Sequence, residues 1–224
     1  MNLARRTVAE ALGTAMLLAA VVGSGIMAER LAGGNAAIAL LANTIATGAA
    51  LIALILTFGP ISGAHLNPVV TLSLIFRSDF VMRDALAYIL AQMLGALAGV
   101  AAANVMFSLP PVHFSSHSRT GAALWLSEFL ATFGLVLVIR LCSKFQPQMI
   151  AFAVAVYISA AHWFTSSTSF ANPAVTLARS LSDTFTGIRP SDVPAFILAQ
   201  LAGAGVATLL ALWLIPRSTE VADD

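Results

Sequence analysis

Charge is scarce in this chain of 224 residues. Asp, Glu, Lys and Arg make up 9% of it and nearly cancel, leaving a net charge of +1. Such a chain offers no basic surface for nucleic acid and too few polar groups to cover a soluble domain. Cysteine is rarer still. Cys142 stands alone, which excludes an intrachain disulfide and a thiolate metal centre. Near a helix end it reads as a small buried hydrophobe. Catalytic constellations are missing too: no Ser/His, Asp/Asp or His-cluster pattern sits on facing apolar runs. What is abundant is apolar side chain, at 59% of residues and a mean hydropathy of +0.91. Runs of about 17 apolar residues or more recur, long enough to cross a bilayer as helices. The fold class expected is an all-α membrane protein.

Six spans fit, over roughly 8–28, 36–58, 84–107, 121–141, 149–165 and 194–215. The fifth stands at the short limit for a crossing. Residues Met1 to Arg6 and the run behind them imitate a signal peptide, but Glu10 interrupts the run and it continues to about Met27, long enough to span. Counting basic residues with the N-terminus inside puts Arg5, Arg6, Arg77, Arg83, Arg140, Lys144 and Arg217 on the cytoplasmic side. Arg30, Arg119, Arg179 and Arg189 fall outside, a modest bias in the usual direction with both termini cytoplasmic. The chain reads as one channel domain, with halves of about 1–110 and 120–216 and a short polar, disordered tail over 217–224.

Two stretches do not fit the pattern of spans. Gly63 to Leu72 and Ser169 to Leu177 each carry Asn-Pro-x-Val-Thr-Leu, 105 positions apart, and each is too short to cross. Asn at an N-cap followed by Pro at the first helical position is a strong helix-start signal. Each stretch therefore reads as a loop that enters the membrane, turns at Asn-Pro and leaves as a half-helix, over 67–76 and 172–182. Two such helices meeting head to head would gather Asn67, Asn172 and two helix N-termini at one point. Each N-terminus adds about half a positive charge. The two amides replace hydrogen bonds that a passing solute loses. Such a centre favours neutral hydroxyl solutes and repels cations and protons; the plainer reading is that the two Asn only cap their helices. A repeat outside the boxes supports the pairing. Ala87 to Gln92 matches Ala195 to Gln200, Gly95-Ala96 matches Gly203-Ala204, and Glu10 and Thr14 match Glu128 and Thr132. Three spans per copy inverts the second copy, and inverted repeats place a solute path at the midplane. Small residues such as Gly95, Gly99, Gly203 and Gly205 fit close helix packing in lipid.

The paired Asn67-Pro68-Val69 and Asn172-Pro173-Ala174 boxes, with their Val-Thr frames and flanking spans, resemble the major intrinsic protein (aquaporin and aquaglyceroporin) family over nearly the whole chain. The resemblance implies six spans plus two re-entrant half-helices, a passive channel rather than an enzyme, no cofactor, and a homotetramer with one pore per subunit. Glu10 and Glu128 lie inside spans, where a carboxylate is costly and by default functional. A proton relay is one reading. The resemblance implies another, support of the re-entrant loops by accepting their backbone N–H groups, with Gln92 and Gln200 assisting. His65 would line the cytoplasmic approach, or simply pack its loop. His162 and Trp163 read as mouth residues or interfacial anchors, with Phe170 beside them at the outer mouth. Nothing distinguishes His113 or His117.

The departure from the family pattern falls at the filter. Family members typically carry Arg directly after the second Asn-Pro-Ala, opposite an aromatic from the second span. Here the first position is Val175, and the family spacing puts Thr47 at the second. The same spacing gives Ala160 in the fifth span, with Ala161 and His162 as alternatives, and Ser169 as the fourth wall. A Thr-Ala-Val-Ser ring is small and carries no fixed charge. Arg179, one helical turn past Val175 and about 6 Å further out, either reaches back toward the filter or snorkels to headgroups. A neutral ring of this kind is similar to that of bacterial aquaglyceroporins linked to arsenic resistance. The solutes implied are arsenite as As(OH)3, antimonite, methylated arsenicals, glycerol, urea and water, and the location implied is the bacterial inner membrane. An ordinary water or glycerol channel and a closed-pore structural protein are the rival readings.

Overall fold

In the computed structural model, which describes residues 1–75 and 80–215, the regular elements among the described residues are all helices. In order the helices are α1 (Leu3–Leu31), α2 (Ala36–Ser62), α3 (Pro68–Ile75), α4 (Met82–Met106), α5 (Ala122–Phe145), α6 (Ile150–Phe164), α7 (Pro173–Arg179) and α8 (Val193–Leu214). Among the described residues six helical stretches are long and apolar enough to cross a membrane; the shortest, α6 with its preceding 3₁₀ turn (Pro147–Phe164), has 18 residues. The helices α3 and α7 are the two half-helices. The second of them is shorter than the 172–182 expected. Asn67 and Asn172 cap them from outside, and α7 stops at Arg179 rather than 182. There the chain tightens into a turn, with Ser180 N–H donating to Leu177 O (3.2 Å) and Leu181 N–H to Ala178 O (3.0 Å). The expected end of the first half-helix at 76, Arg77, and the tail with Arg217 lie outside the described residues.

The outer surface is studded with large apolar side chains, among them Leu94 (66% exposed), Leu198 (67%) and Trp213 (79%). In water so broad an apolar surface would aggregate; facing acyl chains it costs nothing. Cys142 is half-buried at the end of α5 rather than buried. Arg140 is no interfacial arginine: it is buried and donates to Ser73 O (2.6 Å) near the end of α3.

Within each half one helix pair is packed most closely, α1 on α4 and α5 on α8. Glycine sets the approach. A Cβ on Gly95 would overlap the Ala11 carbonyl, and one on Gly203 the Phe129 carbonyl. The crossing thus recurs at the sequence-matched glycine of each half, and lipid supplies no hydrophobic push to replace it.

Non-helical backbone at mid-membrane survives only if its polar groups are satisfied inside the protein. The two re-entrant loops meet that demand in the same way. Five non-glycine residues adopt left-handed backbone, Ala64 (φ 47°) and Leu66 (φ 49°) in one loop and Thr168 (φ 62°), Ser169 (φ 50°) and Ala171 (φ 48°) in the other. Each such residue costs about 1–2 kcal/mol, and what holds it is a buried carboxylate. Glu10 Oε1 accepts from His65 N–H (2.9 Å) and Oε2 from Leu66 N–H (2.7 Å). Glu128 accepts from Phe170 N–H (2.9 Å) and Ala171 N–H (2.9 Å). Gln92 Nε2 then donates to Glu10 (2.8 Å) and to the Thr71 hydroxyl (2.9 Å). Gln200 Nε2 donates to Glu128 (2.7 Å) and to the Thr176 hydroxyl (2.8 Å). These bonds accord with loop support rather than with a relay.

Two outcomes follow from this packing. Gly203→Val forces a side chain onto a backbone carbonyl and is expected to destabilise by roughly 1–3 kcal/mol or more, read as a lower unfolding temperature in detergent. Gly205→Val, with no atom within 4 Å of an added Cβ, is the control and should hold. Glu128→Leu leaves two buried N–H groups unpaired at about 1–3 kcal/mol each. Size-exclusion chromatography of the extracted protein should show loss of assembly; a well-folded variant with altered selectivity would count against the supporting role.

Candidate solute pathway

The tips of α3 and α7 meet at the centre of a cavity of about 250 Å³ that runs from His65 past both Asn to Arg179. The meeting is reciprocal. Asn67 Nδ2 donates across to Ala171 O (2.8 Å), and Asn172 Nδ2 donates back to Leu66 O (2.9 Å). Each Asn also caps its own helix through Oδ1, Asn67 to Val69 N–H (3.0 Å) and Asn172 to Ala174 N–H (3.0 Å) and Val175 N–H (3.3 Å). An amide NH2 has two hydrogens. One bridges the loops, and the second of each Asn has no acceptor among the described residues. Capping and lining are thus roles of the same side chains. Pro68, Val69, Pro173 and Ala174 form the first turns behind them, all buried.

The wall of the cavity is two-faced. The loop residues Gly63, Ala64, His65, Ser169 and Phe170 line one side, and among the described residues nothing donates to their carbonyl oxygens. The His65 and Phe170 N–H groups go to the glutamates and those of Gly63, Ala64 and Ser169 to neighbouring oxygens of their own segment, so the carbonyls are the acceptors left for a solute. Opposite stand apolar side chains such as Val21, Leu51, Val154 and Ile158.

At the Arg179 end four side chains approach the path. Thr47 and Ser169 are buried, and their hydroxyl oxygens have no partner among the described residues. Val175 lines the cavity where family members typically carry Arg. The fifth-span position differs from the expected Ala160. The cavity-lining residues of α6 are Val154, Ile158 and His162, four apart, which is one helical face; Ala160 falls on the opposite face and is exposed. Ala161 is buried but does not line the cavity. His162 Nδ1 lies 2.8 Å from Ile158 O. A carbonyl only accepts, so Nδ1 carries the hydrogen and Nε2 is left as an acceptor without a protein partner among the described residues. Trp163 is half exposed, on the outside of the bundle.

Arg179 is buried and lines the cavity. Its Nε donates to Thr186 O, and its guanidinium carbon lies 3.4 Å from the Phe170 ring centroid. It reaches back toward the filter instead of snorkelling outward. Sequence reasoning missed Arg119, whose guanidinium also lies over Phe170 (5.1 Å) while donating to Gly187, Ser167 and Phe185 carbonyls. No local motif marks it, since its partners are backbone atoms distant in sequence. At the other mouth His65 Nδ1 is 3.1 Å from the Thr71 hydroxyl, and its ring packs on Tyr88 (5.1 Å) and Phe80 (5.4 Å). His65 both lines the cavity and packs its loop. His117 sits 3.9 Å from Asp183 on the surface, away from the path. Asp183 is held below its ordinary pKa chiefly by the Ser116 N–H that donates to it.

Comparison with known proteins bears on this geometry. The sequence profile of the family described as Major intrinsic protein matches residues 1–148 and again 139–222. "Aquaglyceroporin AqpS" of Rhizobium meliloti (strain 1021) is 54% identical over 214 residues, covering 96% of this chain and 91% of its own. "Aquaporin NIP1-4" of Oryza sativa subsp. japonica is 30% identical over 202 residues, covering 88% of this chain and 71% of its own. The X-ray structure of the aquaglyceroporin from Plasmodium falciparum superposes with a TM-score of 0.73 over 93% of this chain and 95% of that one, at 24% identity, a likeness of fold. The chain belongs to the major intrinsic protein family and is an integral, multi-pass membrane channel protein, not an enzyme.

Proposed function

We propose that this protein conducts small neutral hydroxyl solutes passively: arsenite as As(OH)3 and related metalloid hydroxides, together with glycerol and water. The observation that carries the reading is Val175. It lines the path with Thr47 and Ser169 beside it, so the ring holds two unpartnered hydroxyls and no fixed charge of its own. A solute with several hydroxyl groups leaves water at the cost of those hydrogen bonds. The loop carbonyls, the two Asn amides and the ring hydroxyls offer replacements, while the apolar wall accepts the rest of its surface. Methylated arsenicals keep hydroxyls on one side and a methyl on the other, which suits a two-faced wall. A relative 54% identical that is named an aquaglyceroporin supports the solute class.

In this reading the Arg179 mouth faces outward, the His65 mouth and both termini face the cytoplasm of a bacterial inner membrane, and four copies associate with one pore each. The proton barrier comes from the helix N-termini and the Asn pair, since Val175 supplies no cation. His162 in place of an alanine favours a second reading, a water or glycerol channel too narrow for metalloids.

Arsenite uptake into proteoliposomes separates the two, with water permeability taken on the same vesicles. Wild type should take up arsenite. Val175→Arg should lose at least about tenfold of that uptake, equivalent to roughly 1.4 kcal/mol at the barrier, while water flow persists. Water flow in wild type without arsenite uptake would overturn the metalloid assignment in favour of the narrower channel.

A further inference from the structure

Arg179 differs from every other cation near the path. Arg119 spends its guanidinium on three backbone carbonyls. Arg179 donates only through Nε, to Thr186 O, and among the described residues its two terminal nitrogens have neither a hydrogen-bond acceptor nor a carboxylate within ion-pair distance. Its residue is nonetheless 4% exposed and lines the cavity. Four N–H donors of a permanently charged group therefore face a water-sized space. The carboxylate of Glu128, behind the adjacent loop, is taken by the Phe170 and Ala171 N–H groups and Gln200. Among the described residues no Asp or Glu lines the cavity. The position is held by the Phe170 ring beneath the guanidinium and the Thr186 carbonyl at Nε. Such a fork is preorganised, so little side-chain freedom is lost when a ligand binds.

We propose that Arg179 forms a docking site for a small monovalent oxyanion at this mouth of the channel, and that a docked anion obstructs the flow of neutral solutes. The planar guanidinium edge matches two oxygens of one anion. His162 lines the same cavity, and its Nε2 serves as acceptor for a hydroxyl where the anion carries one. The anion does not continue inward. Past Arg179, among the described residues, no further Arg or Lys lines the cavity; the Thr47 and Ser169 hydroxyls, the Asn amides and the partial charges at the helix ends stand among aliphatic side chains, too little to replace the water of a full anion. The neutral acid form of the same solute lacks that penalty and passes. The mouth therefore sorts a weak oxyacid by protonation state, holding the anion and admitting the acid.

The inference rests on the channel reading, and the test keeps the two apart. Osmotic water flux is measured in proteoliposomes with nitrate on both faces, against an equal ionic strength of a bulky organic sulfonate. Nitrate should reduce the flux saturably. In Arg179→Leu, whatever its basal flux, the half-inhibiting nitrate concentration should rise about tenfold or more, as expected for loss of a charge-assisted bidentate contact. Arg179→Lys keeps the charge without the fork and should fall between, and it decides the matter if the leucine variant does not assemble. Water flux in wild type that is indifferent to nitrate overturns the docking site and leaves the channel standing. Vesicles with no flux above empty liposomes overturn the channel. Docking then stands or falls on calorimetric titration of nitrate into purified wild type, where an absent binding heat overturns it.

Discussion

Backbone amides at the middle of an apolar layer must find partners within the protein, and the structure is arranged around that demand. Two short loops there are neither helix nor strand. Their N–H groups are drawn to one side by Glu10 and Glu128, and the carbonyls are left on the other. Left-handed conformations at Ala64, Leu66, Ser169 and Ala171 are what this sorting requires of the chain. Each glutamate is tied by a glutamine to the threonine of its own half-helix, so loop, half-helix and two spans form one unit in each half. The hydrophilic side of the path is thus made of backbone whose strain is borne by buried carboxylates.

The charge along the path follows from the same architecture. Two helix N-termini meet at the centre and contribute positive potential without an ionisable group. The full cation is displaced by one helical turn, from the position of Val175 to Arg179, and is anchored on Phe170 rather than on a carboxylate. In the proposed reading, a neutral ring with a cation above it separates two functions: size and hydrogen bonding at the ring, charge at the mouth. The loops around that mouth are clamped by Arg119 and by Asp183, which accepts from Ser116.

Much of this was legible in the sequence because it was written twice. The Asn-Pro frames marked the starts of the two half-helices, and the matched Glu and Gln residues pointed to the buried pairs that the fold brings to the loops. Long apolar runs found the six spans, with ends differing by a few residues because helices do not stop where the apolar run stops. The filter was less legible. Counting back from Asn172 along an irregular loop cannot fix which face of α6 is reached, and an error of two residues moved the wall from His162 to Ala160. The fate of Arg179 was open for another reason. Whether an arginine at a helix end snorkels or turns inward depends on an aromatic ring and a carbonyl that only the folded loop brings to it. Arg119 and the bare loop carbonyls left no trace, since backbone partners have no sequence signature.

The crossed bonds at the centre, Asn67 to Ala171 O and Asn172 to Leu66 O, bear on the order of assembly during synthesis. Glu10, its loop and Gln92 all belong to the first half, so that loop is braced as soon as α4 is inserted. The Leu66 carbonyl waits for residue 172, more than one hundred positions later in the chain. Until then it faces the space that the second half will fill, and only water or lipid can attend to it. The centre of the path is thus complete only when both halves are present, each supplying the donor that the other's loop carbonyl accepts.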